Sequence, residues 1–205
     1  IDPRTMNISI PSVKKLISKK TKAIVCVHYG GLPCEMDELK KLSKKYKIPI
    51  IEDAAHAMGA RYKGKTIGSI SDFTTFSFQA IKHFTTGDGG MLTIKDKNLL
   101  KKGKRLRWFG IDREGKQNGT WENDVYETGY KYQMTDIAAT LGFDSLLEFN
   151  KILIHRRKIF NVYLNELSKN KNIFCINDQD KNKFHSAWLF TISREKKDYL
   201  QKKLR

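Results

Sequence analysis

Cysteine is scarce in this chain. Its three cysteines among 205 residues, Cys26, Cys34 and Cys175, are an odd number with no CxxC pair. That excludes a disulfide framework and makes a reducing, cytoplasmic setting the expectation. Cys26, His28 and Cys34 lack a fourth ligand at metal-binding spacing, so no metal is expected. Long apolar runs are missing too: nothing approaches the ~18 residues that cross a bilayer, and the mean hydropathy is −0.54. No membrane partner is expected. Acidic residues are few, 22 against 39 basic ones, for a net charge of +17. A nucleic-acid surface gathers such an excess on one face with aromatics between. Here it falls in pairs such as Lys14-Lys15, Lys40-Lys41 and Lys44-Lys45 on the polar sides of helical segments, as solvated faces do. No nucleic-acid partner is expected, although the excess draws anionic small molecules toward a cleft. Core material is plentiful, 40% hydrophobic and 11% aromatic, which excludes disorder. The chain starts at Ile1 with no signal-like segment, and a fragment of a longer protein is expected.

The first two-thirds alternate helical and strand-like patterns. Residues 9–20 place Val13, Leu16 and Ile17 on one stripe, with Pro11 in the first turn, where a missing N–H costs little. Residues 23–27 are an apolar run too short for a helix and of the kind buried on both faces of a sheet. Gly30-Gly31 and Pro33 end it. Met36, Leu39 and Leu42 mark a second amphipathic helix to about residue 46, and residues 48–51 give a strand closing on Glu52-Asp53. This is βαβ spacing, for which a parallel pair with a right-handed crossover is expected. Further strands are expected at 73–78 and, after the turn Gly87-Asp88-Gly89-Gly90, at 91–94. Polar groups then collect at strand ends (His28, Asp53, Ser77), where open α/β sheets bind ligands. Residues 112–119 read as a polar surface loop. A helix capped by Thr135 or Asp136 carries Ile137, Leu141, Leu146, Leu147 and Phe149, and continues with a bend or break through Ile159 and Leu164. Residues 187–192 give one more strand. The composition shift near Phe143 sets the expected boundary between unit 1–143 and unit 144–205, the second too short to bury its own core.

One constellation carries chemistry: Glu52-Asp53-Ala54-Ala55-His56-Ala57 after a strand, and the stretch from Phe76-Ser77-Phe78 through Lys82 to Gly90. Each piece alone has an ordinary reading. Asp at a strand end caps a turn, a Lys in a Lys-rich chain is solvated, and a GxGG turn is a hairpin or close-packing device. Lys82, however, follows a strand-like run, with Ile81 before it and Phe84 two residues on. An amine in apolar surroundings has a lowered pKa, becomes nucleophilic and can form a Schiff base. A carboxylate such as Asp53 can keep the ring nitrogen of pyridoxal phosphate protonated, and Ser77 with backbone amides can grip an anion. Together these are the parts of a pyridoxal-phosphate site.

The ordered motifs resemble the DegT-type sugar-nucleotide aminotransferases, a pyridoxal-phosphate-dependent family within the fold-type-I aminotransferases. Ile1-Asp2-Pro3, Val27-His28-Tyr29-Gly30-Gly31, Glu52-Asp53-Ala54-Ala55-His56-Ala57-Met58-Gly59-Ala60, Phe76-Ser77-Phe78 to Gly90, Gly129-Tyr130-Lys131-Tyr132-Gln133-Met134 and Arg156-Arg157 carry the match. The resemblance implies a three-layer α/β sandwich with a mostly parallel sheet, the second half of a large cofactor domain (1–143), followed by the start of a small α+β domain (144–205). It makes Lys82 the Schiff-base lysine and proton carrier, pairs Asp53 with the ring nitrogen, brings His56 to the ring hydroxyl, packs Ala55 on the ring face and sets Ser77 on the phosphate. Lys131 stands where the family often has an asparagine that reaches the phosphate across a homodimer interface, Gln133 replaces a common arginine, and Asp88 a glutamate. The implied reaction transfers an amino group, with glutamate as donor, to a nucleotide-linked keto-sugar. Arg107, Trp108, Arg113 and Trp121 are candidates for the nucleotide. The family segments that give a phosphate-binding Gly-Thr turn and an aromatic over the ring fall outside the match. A non-catalytic remnant and a same-scaffold sugar dehydratase are the rival readings. The dehydratases carry histidine where this chain has Lys82.

Overall fold

The computed structural model describes residues 1–117, 125–177, 180–194 and 201–203. Helix α1 spans Ile10–Leu16, with the Ser9 side chain accepting from the Ser12 N–H and Pro11 in the first turn. It stops short of residue 20, because Thr21 and Ser18 close a turn on each other, Ser18 N–H to Thr21 Oγ1 at 3.0 Å and Thr21 N–H to Ser18 O at 3.0 Å. Strand β1 (Ile24–Val27) leads through a 3₁₀ turn at Tyr29–Gly31 to α2 (Met36–Tyr46), and Lys47 in the left-handed region turns the chain into β2 (Ile50–Asp53). The latter lies two residues later than the apolar run suggests, because Glu52 and Asp53 are themselves paired strand residues.

β3 (Arg61–Tyr62) and β4 (Lys65–Thr66) form a small hairpin that the sequence pattern did not reveal. β5 (Phe73–Ser77) and β6 (Gly90–Ile94) follow as expected. The main sheet runs β1-β2-β5-β6, with β1, β2 and β5 parallel and β6 antiparallel. Met36, Leu39 and Leu42 of α2 pack with Ile24, Cys26 and Ile50 on one face, each large side chain contributing about 1.5–3 kcal/mol of burial. Val25, Val27 and Leu92 point to the opposite, exposed face.

α3 (Lys97–Arg107) is capped by Asp96, whose carboxylate accepts from the Asn98 and Leu99 N–H groups. Part of the loop expected at 112–119 is a short helix, α4 (Arg113–Gln117), begun by Asp112 accepting from the Gly115 N–H at 3.1 Å; residues 118–119 are outside the described residues. α5 runs unbroken over Asp136–Leu167, with Thr135 as its N-cap, so no break interrupts it and residues 143 and 144 are consecutive positions of one helix. β7 (Phe174–Ile176), β8 (Lys183–Phe184) and β9 (Thr191–Ser193) follow, β8 joining β3 and β9 pairing with β7. The strand expected at 187–192 is thus only its end. Ala187 turns at φ 59, its N–H donating to His185 Nδ1, and Ser186, Trp188 and Leu189 donate instead to the Gly31 and Gly30 carbonyls.

Candidate active site

Period-two alternation divides the Glu52-Asp53 pair between two jobs. Glu52 turns into the core, fully buried, and accepts from the Ser71 N–H (3.1 Å), Thr74 Oγ1–H (3.1 Å) and the His28 imidazole (2.7 Å). His28 Nδ1 accepts the Cys34 N–H at 3.1 Å, which leaves Nε2–H to donate to Glu52: a neutral imidazole on a carboxylate. With both ring nitrogens committed, and Cys34 Sγ donating to Val27 O at 3.1 Å, the His28 and Cys34 pair serves the core. Asp53 is in register with Val27 and Thr75 and faces the open side, as Ser77 does two residues beyond Thr75.

The chain after β2 turns at once. Asp53 Oδ1 accepts the Ala55 N–H at 3.0 Å, and Ala57 N–H donates to Ala54 O at 2.8 Å. Among the described residues Oδ2 of Asp53 has no hydrogen-bond partner. The same turn half-buries Ala55 and His56 beside Asp53. His56 Nδ1 is buried without a partner.

Lys82 comes from the loop between β5 and β6. That loop is tied down by Phe78 N–H to Gly89 O (2.9 Å), Thr86 N–H to Phe78 O (3.0 Å) and an edge-on Phe78–Phe84 contact. Gly90 is required at its end, since a Cβ there would lie 2.6 Å from the Phe76 carbonyl oxygen; the turn is a close-packing device. Burial holds the Lys82 amine below the usual lysine range, with the Asp53 carboxylate opposing. Burial, and then the charge of Lys82, lowers His56. Asp53, His56 and Lys82 therefore share one electrostatic neighbourhood.

Trp188 completes it, and the sequence reading had no place for this residue. Its ring centre is 4.6 Å from Lys82 Nζ and 5.6 Å from the His56 ring. It is delivered by Trp188 N–H to Gly30 O (3.0 Å), Ser186 N–H to Gly31 O (3.0 Å) and Ser186 Oγ–H to His56 O (2.9 Å). No local signal marks it, since an aromatic in an apolar run reads as strand core.

Ser77 sits on the same face as Asp53, and its Oγ accepts the Gln79 N–H at 3.4 Å. Lys131 is exposed and bridged to Trp108, on a strip where Tyr130 N–H donates to Leu106 O and Tyr132 N–H to Arg107 O. Among the described residues nothing joins it to Lys82 within this chain. Trp108 carries Arg113 at 5.1 Å and, with Arg107, borders a cavity of about 630 Å³. Trp121 lies outside the described residues.

A lysine amine held below its ordinary range by burial shares its surroundings with an aspartate that has a free oxygen and an imidazole with an unpartnered buried nitrogen, all at the carboxyl ends of parallel strands. These residues fit a pyridine ring that has an aldehyde, a ring hydroxyl and a ring nitrogen on different edges. The comparisons agree. The sequence profile of the DegT/DnrJ/EryC1/StrS aminotransferase family matches residues 1–205, and the chain belongs to that family. Pyridoxal phosphate is the family's cofactor. A UDP-4-amino-4,6-dideoxy-N-acetyl-β-L-altrosamine transaminase of Campylobacter jejuni is 39% identical over 180 residues, covering 88% of this chain and 46% of the relative. GDP-perosamine synthase of Escherichia coli O157:H7 is 33% identical over 191 residues, covering 93% and 50%. The crystal structure of the aminotransferase TlmJ from Streptoalloteichus hindustanus superposes with a TM-score of 0.91 at 28% identity, over 100% of this chain and 55% of that one. The fold is thus that of the sugar aminotransferases, and the chain spans about half the length of the curated relatives it matches.

Proposed function

We propose that this chain carries the cofactor-anchoring part of a pyridoxal-phosphate-dependent transaminase whose acceptor is a keto-sugar on a nucleotide and whose donor is an amino acid, glutamate by family likeness. The observation that carries the reading is Lys82, a half-buried amine with a lowered pKa, within electrostatic reach of Asp53. The cofactor, when bound, supplies a conjugated ring that accepts electrons from the bond being broken.

Lys82 would hold the cofactor's aldehyde end through Nζ, and as a free amine it would take a proton from the donor carbon as a general base. An amine lowered below the ordinary lysine range suits that task better than an unperturbed one. Asp53 would keep the ring nitrogen protonated through Oδ2 while Oδ1 stays fixed by the Ala55 N–H. His56, whose Nδ1 has no partner, would serve the ring hydroxyl, and Ala55 would offer a small apolar surface to the ring face. Ser77 contributes to the phosphate grip. Lys131, exposed and among the described residues not joined to Lys82 of its own chain, is suited to the phosphate of a second subunit in a homodimer. The cavity beside Arg107, Trp108 and Arg113 combines cations with an aromatic face and suits a nucleotide.

The test is covalent. Incubation with pyridoxal phosphate, borohydride reduction and peptide mapping should place the label on Lys82, and Lys82→Ala should abolish it. Undiminished labelling of Lys82→Ala would overturn the assignment. Amino transfer from glutamate to UDP- and GDP-linked keto-sugars then identifies the acceptor.

A further inference from the structure

Five cations border the cavity of about 630 Å³ beside α3 and α4: Lys101, Lys104, Arg105, Arg107 and Arg113. They are not equally available. Arg105 is bound by Glu127, which lies outside the lining, at 3.0 Å from Nε and 2.9 Å from Nη2. Arg113 lies over the Trp108 ring at 5.1 Å. Lys104 is paired with Glu114, an acid in the first turn of α4. Lys101 and Arg107 make no ion pair among the described residues. Asp112, the other acid of the lining, accepts the Gly115 N–H at 3.1 Å and begins α4. Glu114 is thus the acid of this cavity that occupies one of its cations.

The chain carries a net charge of +17, and such a field draws an anion more strongly the more charge the anion bears. By itself the field favours a nucleoside triphosphate over a sugar nucleotide, whose diphosphate is esterified at both ends and carries less charge. A transaminase acting on a sugar nucleotide has to resist that bias. The cavity contains the means. Its unpaired cations, Lys101 and Arg107, match the two charges of a diphosphate diester, while Arg113 and Trp108 offer a guanidinium and a ring face to a base. The further charges of a triphosphate call for Lys104, which Glu114 already holds. They also meet the Glu114 carboxylate at close range, where like charges repel. Both ends of the Lys104–Glu114 pair are partly exposed, 44% and 60%, so the effect is a modest factor and replacing Glu114 spares the fold.

We propose that Glu114 sets the charge of the nucleotide this cavity accepts, an inference that rests on the nucleotide reading of the same cavity. By occupying Lys104 it lets a diphosphate diester bind and turns a triphosphate away. Glu114 acts through Lys104 and through repulsion, and it touches no reacting atom.

Matched ligands separate charge from base: UDP-glucose with UTP, and GDP-mannose with GTP, titrated calorimetrically into the full-length protein in magnesium-free buffer of low salt. The parent protein should bind the sugar nucleotide of at least one pair more tightly than its triphosphate. Glu114→Gln should shift the affinity ratio toward the triphosphate about three- to tenfold, the range of an exposed charge pair plus one relieved repulsion. Adding Lys104→Gln should cancel that shift, which closes a double-mutant cycle on the pair. Glu148→Gln removes the same charge from an exposed pair with Lys151 on α5 and should leave the ratio unchanged. An unchanged ratio in Glu114→Gln, an equal shift in Glu148→Gln, or a shift that survives the loss of Lys104 would each overturn the proposal. So would a parent protein that prefers the triphosphates. If a protein labelled at Lys82 by borohydride binds none of the four ligands, the nucleotide reading of the cavity falls and the selectivity with it. Binding with the wrong ratio strikes the selectivity alone.

Discussion

His28 and Glu52 form a fully buried pair, 2.7 Å from Nε2 to Oε2, directly beneath the strand end that carries Asp53. The pair is a support. Glu52 also holds Ser71 and Thr74, and the His28 N–H donates to the Asp53 carbonyl at 3.1 Å. Removing one partner leaves the other's polar group buried and unpaired, which costs about 1–3 kcal/mol, and more where the group left is the Glu52 carboxylate. His28→Ala and Glu52→Ala should each lower stability by that amount in urea titrations. A loss below 1 kcal/mol would mean the pair is solvated. Hydrogen bonds from His28, Ser71 and Thr74 hold the Glu52 carboxyl below its ordinary value despite burial. Its contribution is accordingly present above the unfolded carboxylate pKa of about 4.3 and lost as pH falls below it.

His83 and His185 should dominate the response to mild acid. Burial, and then the charges of Arg156 and Arg157 respectively, push them down to about 4 and about 3. The unfolded chain takes up protons at ~6.5 where the folded chain does not. Stability is thus full above that pH and declines as pH falls toward 4, by up to about 1.4 kcal/mol per pH unit for each group. Urea midpoints measured from pH 7 to 5 should fall, and His83→Gln should flatten the slope. A flat profile in the parent protein would show these imidazoles to be already charged.

Gly31 is the point where the C-terminal segment meets the site. It has φ +100, and a Cβ there would lie 2.1 Å from Ser186 Oγ and 2.8 Å from the His56 carbonyl oxygen. Gly31→Ala should destabilise by about 2–4 kcal/mol through left-handed strain and overpacking, and should shift Trp188 emission. Ser186→Ala should restore part of the loss, because Oγ is the nearest obstacle. Full tolerance of Gly31→Ala would place the 186–188 segment elsewhere.

Asp53→Asn separates the turn from the chemistry. Asparagine Oδ1 still accepts the Ala55 N–H, so stability should change by no more than about 1 kcal/mol. The donor half-reaction, followed by cofactor absorbance, should slow about 10²–10³-fold, as when a preorganised electrostatic partner is removed. An unchanged rate would detach Asp53 from the ring nitrogen.

The residues proposed to anchor the cofactor stood out in the sequence because they sit in short contiguous motifs at strand ends. Asp53, Ala55 and His56 ride one turn, and Ser77 and Lys82 bracket another. The amphipathic helix at 36–46 was legible for a similar reason: its apolar residues repeat at helical spacing and need no partner to be recognised. Trp188 was not, because it reads as strand core. The hairpin of β3 and β4 escaped notice because two-residue strands carry no period.

The amino-acid order alone determined the alternation that sends Glu52 inward and Asp53 outward, and it put an amine after a strand end among apolar neighbours. Both are local consequences of backbone geometry, so no distant contact was needed. Folding back of residues 186–189 onto Gly30 and Gly31 decided the rest. Only that long-range backbone pairing puts an indole beside Lys82 and Arg156, because pairings between distant segments depend on three-dimensional closure and leave no periodic trace in the chain.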